Sequence, residues 1–590
     1  GLVAALKQSS KLPRSRLAGI EKLVEYLPVP EPLINLALWL SEYYYCSRAG
    51  ALTLVLPPGG LPSLRRTGAG AEASYQLKPP AVKPRELQYA RLSPAAGGID
   101  NKGLSDARRR AISYLSAHGE QQLAVLCRDA GVSRSTLKAM ATQGLVEINM
   151  RTMTRDALRY YGDYGEGGAP PGKEGAAGTE TPPSLNEAQQ RAFAAVTGRL
   201  DAASPADRSR PVLLQGVPGS GKTEVYMRAI EEVIDRGGSA IVLVPEISLT
   251  HQAVRRFRRR FGGVVGILHS GLSPGERYDE YMRIRSGELK VVIGPRSALF
   301  APLPDLQLIV IDEENDGSFK QESDPRYDAR RVALKRARLE GAALLYGSAT
   351  PSLESYHKVQ DRFTLPERAT GAALPDVEIV DMRQEGELLF SARLLDELQK
   401  TIVAGEKAIL LLNRRGYARY LQCSQCGLVW QCENCDVSLT VHSRLRRLLC
   451  HHCGYGEDMP DICPECGFTG LRRWGMGTER LEKEVRARFP EAPVFRLDAD
   501  TASGYGSSPR LLQEFERSRG GILLGTQMVA KGHHFPDVTL SAVINADLAL
   551  QFPEFRAEEQ TFSLLLQLAG RSGRADKPGK VLIQTWNADI

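Results

Sequence analysis

The segment Gly216-Val217-Pro218-Gly219-Ser220-Gly221-Lys222-Thr223 has the spacing of a phosphate cradle. Its glycines let backbone amides converge on phosphate oxygens, and a following helix N-terminus adds positive potential. Lys222 supplies a mobile cation, and the Thr223 hydroxyl suits a Mg2+ shell. Downstream, the apolar run Leu308–Ile311 leads straight into Asp312 and Glu313. Asp312 is placed to hold the metal shell, and Glu313 to orient and polarise an attacking water. Arg571 and Arg574 stand three apart among small residues in Gln567–Arg574. Projecting from a helix start, they would act as cationic fingers on a transferring phosphoryl group. Gln189, upstream of the cradle, either offers an amide to an adenine edge or belongs to an ordinary solvated helix start. Gly347–Thr350 puts hydroxyls at a strand end, where ligands gather in such sheets. Together these residues predict binding and hydrolysis of a nucleoside triphosphate.

A second chemistry is carried by eight of the ten cysteines, which form four C-x-x-C knuckles: Cys423/Cys426, Cys432/Cys435, Cys450/Cys453 and Cys463/Cys466. Each knuckle turns two thiolates toward one ion, so eight ligands make two tetrahedral Zn2+ sites. Spacing alone leaves the pairing of knuckles open. The intervening sequence is too polar to fold on apolar burial, so metal binding would supply much of its folding energy. His442, His451 and His452 lie close by, but a complete set of cysteines makes them unnecessary. Cys46 and Cys127 stand alone and read as core thiols.

These groups need rigid elements to position them. Val212–Leu214, then the glycine loop, then apolar positions at Tyr226, Ile230, Val233 and Ile234 read as strand, loop and helix. From residue 184 onward, short β-rich runs alternate with helical patterns, which predicts parallel sheets covered by helices. A second sheet is expected from Ala408–Leu412, Ile522–Leu524, Ala542–Ile544 and Val581–Ile583. Residues 159–183 are rich in Gly, Pro and Glu and read as a flexible linker. Before it, a first helix ends near Gly131, a second spans Arg134–Gln143 with Ser133 as N-cap, and an extended segment follows. That is a helix-turn-helix with a wing, either a nucleic-acid reader or a packing module. Trp39, Tyr43, Tyr44 and Tyr45 fall at helical spacing and read mostly as core. Arg255, Arg256 and Arg258–Arg260 read as a solvated basic helix face.

At 590 residues the chain exceeds one core, so several domains are expected. A net charge of +7 suits a nucleic-acid partner without establishing one. No apolar stretch approaches the roughly 20 residues that span a bilayer. Clustered cysteines favour a reducing cytoplasm over disulfides. The first residue is Gly1, which reads as a trimmed start.

The ordered set of segments resembles the superfamily 2 helicases, and more narrowly the PriA (primosomal protein N′) family of bacterial replication-restart helicases. Carrying the resemblance are Leu243–Thr250, His269–Ser273, Arg296–Phe300, Asp312–Glu314, Gly347–Ser352, Asn413–Tyr417, Gly475–Glu479, Gly525–Gly532 and Gln567–Arg574. It is dense over 185–590 and loose over 1–160.

The resemblance implies an α/β fold of two RecA-like parallel-sheet lobes with a zinc-binding insertion, preceded by a small N-terminal DNA-binding domain and a winged helix. The implied divisions are an N-terminal domain for DNA 3′ ends at 1–100, a winged helix at 101–158 and the linker at 159–183. Lobe 1 follows at 184–366 and lobe 2 at 367–590, interrupted by the insertion at 421–470. ATP and Mg2+ are the implied cofactors beside two Zn2+. The implied activity is 3′→5′ unwinding at stalled or repaired forks, starting primosome assembly for restart. Implied partners are forked and single-stranded DNA, single-stranded-DNA-binding protein, other primosome proteins and the replicative helicase loader. A cytoplasmic, nucleoid-associated monomer with no membrane contact is expected. The resemblance further implies nested zinc pairing, Cys423, Cys426, Cys463 and Cys466 around one ion and Cys432, Cys435, Cys450 and Cys453 around the other. Ser318–Glu322 with Pro325–Tyr327 also resembles the family's aromatic loop, which couples DNA to hydrolysis; Phe319 and Tyr327 read either as residues that stack on bases or as part of a packing loop. A C-terminal nucleic-acid-binding domain and the start of the N-terminal domain are expected to lie outside this sequence.

The chain departs from the family pattern at Asn315, where a histidine is usual, and at Asp328, again in place of histidine. Pro218 and Pro295 replace threonines. These departures set weakened coupling, and a fork-binding scaffold with impaired ATPase, beside the active helicase as the alternative expectation.

Overall fold

The computed structural model describes residues 29–59, 63–67, 74–78, 80–82, 85–94, 104–155, 182–245, 251–385, 389–412, 420–435, 437–442, 445–473, 478–498, 507–530, 535, 537–550, 554–573 and 577–589. Two parallel sheets organise it. The first has seven strands in the order Asp361–Leu365, Val212–Gly216, Ala343–Ser348, Leu306–Asp312, Ser239–Leu243, Val291–Gly294 and Val265–Ile267. The second has six, in the order Asp376–Asp381, Lys580–Thr585, Val538–Val543, Lys407–Leu411, Ile522–Gly525 and Val494–Leu497.

Both faces of the first sheet are covered, which explains why its strands are continuously apolar. Leu214, Val242, Val310 and Leu345 face a core shared with the helices Glu187–Leu200 and Lys222–Asp235. Their neighbours Leu213, Ile241, Ile311 and Leu344 face the opposite core, built with the helix Ala329–Glu340. The period-2 alternation of a strand thus serves two cores at once. Leu33, Leu36 and Leu40 of the helix Glu31–Tyr43 join that second core, so the N-terminal segment packs onto lobe 1. Tyr281 Oη donates to the Val55 carbonyl at 2.9 Å, and Asp328 N donates to Tyr44 Oη at 3.0 Å. Tyr45, by contrast, is 95 % exposed.

The expected helix-turn-helix is present. Ser133 Oγ caps the helix Arg134–Thr142 by accepting from Thr136 N at 3.1 Å. The extended segment after it, Val146–Met153, pairs antiparallel with Arg85–Leu92. Past that strand, Asp279 of lobe 1 accepts from Arg155 N at 2.8 Å and from its guanidinium at 3.0 Å, tying the end of this module to the motor.

Candidate functional site: a cleft between two lobes

Val212–Gly216 enters the glycine loop from the C-terminal edge of the first sheet, and the helix Lys222–Asp235 leaves it. Gly219 and Gly221 both sit at φ +84°, a left-handed backbone that only glycine holds without strain. A Cβ on Gly216 would lie 2.4 Å from Ser220 Oγ. Lys222 is buried, makes no salt bridge among the described residues, and donates to the Gly216 carbonyl at 2.8 Å. Ser220 Oγ is buried with no hydrogen-bond partner among the described residues. A buried cation held only by a backbone carbonyl and an unsatisfied hydroxyl within one loop fit an anionic ligand. Val217, Pro218 and Thr223 are partly exposed along this loop.

Gln189 is buried, and both the oxygen and the nitrogen of its amide are hydrogen-bonded. It completes a capping box with Asn186 and donates from Nε2 to the Ser220 carbonyl at 2.9 Å. In this arrangement Gln189 braces the loop from behind.

Asp312 ends the strand Leu306–Asp312, level with the loop, and accepts from Tyr226 Oη at 3.0 Å. Burial, then the neighbouring Glu313 carboxylate, push its carboxyl up to about 6, while Lys222 acts in the opposite direction. Glu313 stands at φ +51°, a left-handed conformation that costs a non-glycine residue about 1–3 kcal/mol. That backbone presents its carboxylate to lobe 2, where Gln567 Nε2 donates to Glu313 Oε2 at 3.3 Å.

Arg571 lies just beyond the C-terminal end of the helix Ala557–Ala569, not at a helix start as its spacing suggested. The residue is half-buried, and its guanidinium donates to the Ala530 carbonyl at 2.9 Å and is attracted by Glu313. Burial depresses its pKa to about 10, and Glu313 opposes the shift. Arg574 falls outside the described residues, as do Asn413–Tyr417 and most of Gly475–Glu479.

The lobes touch directly. A Cβ on Gly570 would meet Pro218 at 2.2 Å, so glycine is required there for the close approach. Asn315 Nδ2 donates to Ser563 Oγ at 2.7 Å and to Thr350 Oγ1 at 3.3 Å, and Asn315 Oδ1 accepts from Ser348 Oγ at 2.6 Å. The connector between the lobes contributes Arg368, whose guanidinium donates to the carbonyls of Ser572 and Gly573 while Ala369 N donates to the Gly219 carbonyl. Sequence reasoning missed both Arg368 and Ser563. Neither sits in a motif, and each matters through a partner roughly 200 residues or more away.

The aromatic loop is corrected. Phe319 and Tyr327 are fully buried, and Tyr327 packs edge-on against Phe300 at 5.3 Å, so both are core residues and neither presents a face to a base. Asp328 pairs with Arg330 at 2.6 Å, and Arg330 donates to the Glu314 carbonyl at 3.0 Å. The buried Glu314 carboxylate accepts from Ser352 N at 2.6 Å and from Ser355 Oγ at 2.8 Å. The basic helix is also less solvated than expected, because Arg260 pairs with Glu224 and Glu231.

Between strands of lobe 2, the eight cysteines form two sets. Cys423, Cys426, Cys463 and Cys466 converge in one, and Cys432, Cys435, Cys450 and Cys453 in the other, with sulfurs within 4.8 Å of one another in each. The Cys423–Cys466 and Cys426–Cys463 separations are 3.6 Å, and Cys432–Cys453 is 3.5 Å. Four thiolates at about 2.3 Å from a central ion would stand about 3.8 Å apart, so the donor sets fit Zn2+. The nested pairing follows from topology. Leu421–Cys423 pairs antiparallel with Leu471–Arg473, which closes the outer knuckles on each other. Among the described residues no helix is long and apolar enough to cross a membrane.

Compared with known proteins, residues 186–359 match the DEAD/DEAH box helicase family model. Residues 432–457 match the cysteine-rich region of PriA DNA helicase, and residues 1–57 match the 3′ DNA-binding domain model. The chain is 37% identical over 644 residues to replication restart protein PriA of Bacillus subtilis (strain 168), covering 99% of this chain and 78% of that one. It is 36% identical over 580 residues to replication restart protein PriA of Chlamydia pneumoniae, covering 95% and 72%. Likeness to the solved structure of RecG bound to a three-way DNA junction is looser, with 17% identity, a TM-score of 0.41, and coverage of 69% of this chain and 43% of that one. Two parallel-sheet lobes facing across a glycine loop, a double cysteine cluster and this breadth of identity lead to one conclusion: the chain belongs to the PriA family of replication restart helicases.

Proposed function

We propose that this chain is an ATP-driven, 3′→5′ DNA helicase that engages stalled or repaired forks and starts primosome assembly. The observation that carries the reading is the hydrogen bond from Gln567 Nε2 of lobe 2 to Glu313 Oε2 of lobe 1 at 3.3 Å, which supports a cleft built from both lobes. In this reading the amides of Gly216–Thr223 and the Lys222 ammonium bind the triphosphate, and Gln189 braces the loop that holds it. Thr223 and Asp312 hold Mg2+, which when bound neutralises phosphate charge. Glu313 orients the attacking water, with Gln567 fixing its carboxylate. Arg571 and Arg574 offset the charge that develops during transfer. The lobes are joined by contacts at Asn315–Ser563 and Pro218–Gly570, so a change in the cleft alters how they sit. Residues 1–100 and the winged helix at 101–158 hold DNA around the junction, with 159–183 linking them to lobe 1 (184–366) and lobe 2 (367–590, interrupted at 421–470). Two Zn2+ on the nested cysteines stabilise the insertion as a platform for partners. Those partners are single-stranded-DNA-binding protein, primosome proteins and the helicase loader, and the chain acts as a monomer on nucleoid DNA.

A fork-binding scaffold without turnover is the weaker reading, because Asn315 keeps three side-chain bonds across the motifs that flank the cleft. DNA-stimulated ATP turnover on a forked substrate, beside Lys222→Ala, separates the two. The helicase reading expects stimulation that the variant lacks. Turnover equal to that of the variant leaves the scaffold.

A further inference from the structure

Lobe 1 carries a second concavity, which the nucleotide cleft does not use. A cavity of about 490 Å³ opens between the helices Ala329–Glu340 and Leu353–Lys358. Six cations line it against two carboxylates, Asp328 and Glu354. Those two are already matched, Asp328 with Arg330 and Glu354 with Arg556 of lobe 2. Arg331, Arg338 and Lys358 are exposed and form no salt bridge among the described residues, and Arg210 donates to the neutral Gln360 at 2.7 Å. Four like charges around one concavity repel one another, and no acid in its walls offsets them. That is the electrostatic signature of an anion site.

The shape selects a polymer. Arg210 precedes the strand Val212–Gly216, while Ser352 follows its parallel neighbour Ala343–Ser348. The lining therefore runs from the N-terminal ends of these two strands to their C-terminal ends, about 17 Å for five residues of strand. The wall has no free aromatic face on which a base could stack, because Tyr346 is buried. Guanidinium groups match phosphate oxygens in pairs, so the groove suits a sugar-phosphate backbone more than bases.

We propose that this groove binds the phosphodiester backbone of a DNA strand, at a site separate from the nucleotide cleft. The proposal rests on the helicase reading for the identity of its ligand. Its position also gives it a route to the acidic pair. Arg330 in its wall donates to the Glu314 carbonyl, and Ser352 and Ser355, also in its wall, hold the Glu314 carboxylate beside Asp312 and Glu313.

The test is binding of the full chain to an oligothymidylate of about 30 nucleotides, without nucleotide, across about 50–200 mM salt. Removing three phosphate contacts by Arg331→Gln, Arg338→Gln and Lys358→Gln together should flatten the log Kd against log salt slope by about 2. Arg331→Lys with Arg338→Lys should leave the slope near that of the unaltered chain. Should the triple variant fail to fold, Arg338→Gln alone should flatten it by about 0.7. An unchanged slope overturns the proposal. Loss of binding to an oligoglutamate peptide with an unchanged DNA slope also overturns it, in favour of an acidic protein ligand. Because no ATP is present, failure of DNA-stimulated turnover would leave this readout intact and would count against the motor alone.

Discussion

Asn315 of lobe 1 donates from Nδ2 to Ser563 Oγ of lobe 2 at 2.7 Å, across the mouth of the nucleotide cleft. The two residues are 248 positions apart, yet they join the segment after the acidic pair to the helix that leads into Arg571. The same amide bonds Ser348 and Thr350, so one side chain ties two lobe 1 motifs to lobe 2. The family departure at this position therefore supplies an inter-lobe contact.

Asn315→Ala should weaken lobe closure. The bond to Ser563, the one of the three that crosses between lobes, contributes about 1 kcal/mol, equivalent to a roughly fivefold fall in DNA-stimulated turnover. Steady-state ATPase with and without DNA checks this. The DNA-free rate should fall less, because binding to the glycine loop alone does not use Asn315.

The pH dependence of the Mg2+ requirement follows from Asp312. Its carboxyl titrates at about 6 in the folded chain, above the ordinary value of 3.8, because it is buried beside Glu313. Folding thus favours the protonated form. The stabilisation from holding that proton is full below pH 3.8 and is lost as the pH rises through about 6. A proton on Asp312 excludes Mg2+. Below about pH 6 the Mg2+ needed for half-maximal turnover should rise about tenfold per pH unit, levelling off above about pH 7. Mg2+ titrations of ATPase at a series of pH values read this directly.

Much of this site was legible in the sequence, and the reasons differ by part. The glycine loop was legible because left-handed backbone at Gly219 and Gly221 leaves a mark in residue type. The parallel sheets were legible because strands buried on both faces are continuously apolar. The knuckles were legible from their spacing, while their pairing came only through the family resemblance, since it depends on Leu421–Cys423 meeting Leu471–Arg473. Phe319 and Tyr327 stood open between base stacking and packing because an aromatic type does not reveal which side of a loop becomes core. Arg368 left no signal because its targets are backbone carbonyls of a remote segment.

The zinc clusters should be separable. Cys432→Ser removes one ligand from the inner set and leaves the outer set whole, so metal content should fall from two Zn2+ to one per chain. Elemental analysis of the purified chain measures it. A crossed pairing of knuckles would instead weaken binding at the site that holds Cys423.

Inter-lobe distance under nucleotide is the most direct measurement of the central claim. Fluorophores placed through non-natural residues at the exposed positions Asp235 of lobe 1 and Lys483 of lobe 2 report it by energy transfer. Adding ATP with DNA should shift the transfer efficiency, hydrolysis should reverse the shift, and Lys222→Ala should abolish it. Transfer that stays constant while ATP binds and turns over would contradict a cleft whose chemistry moves the two lobes.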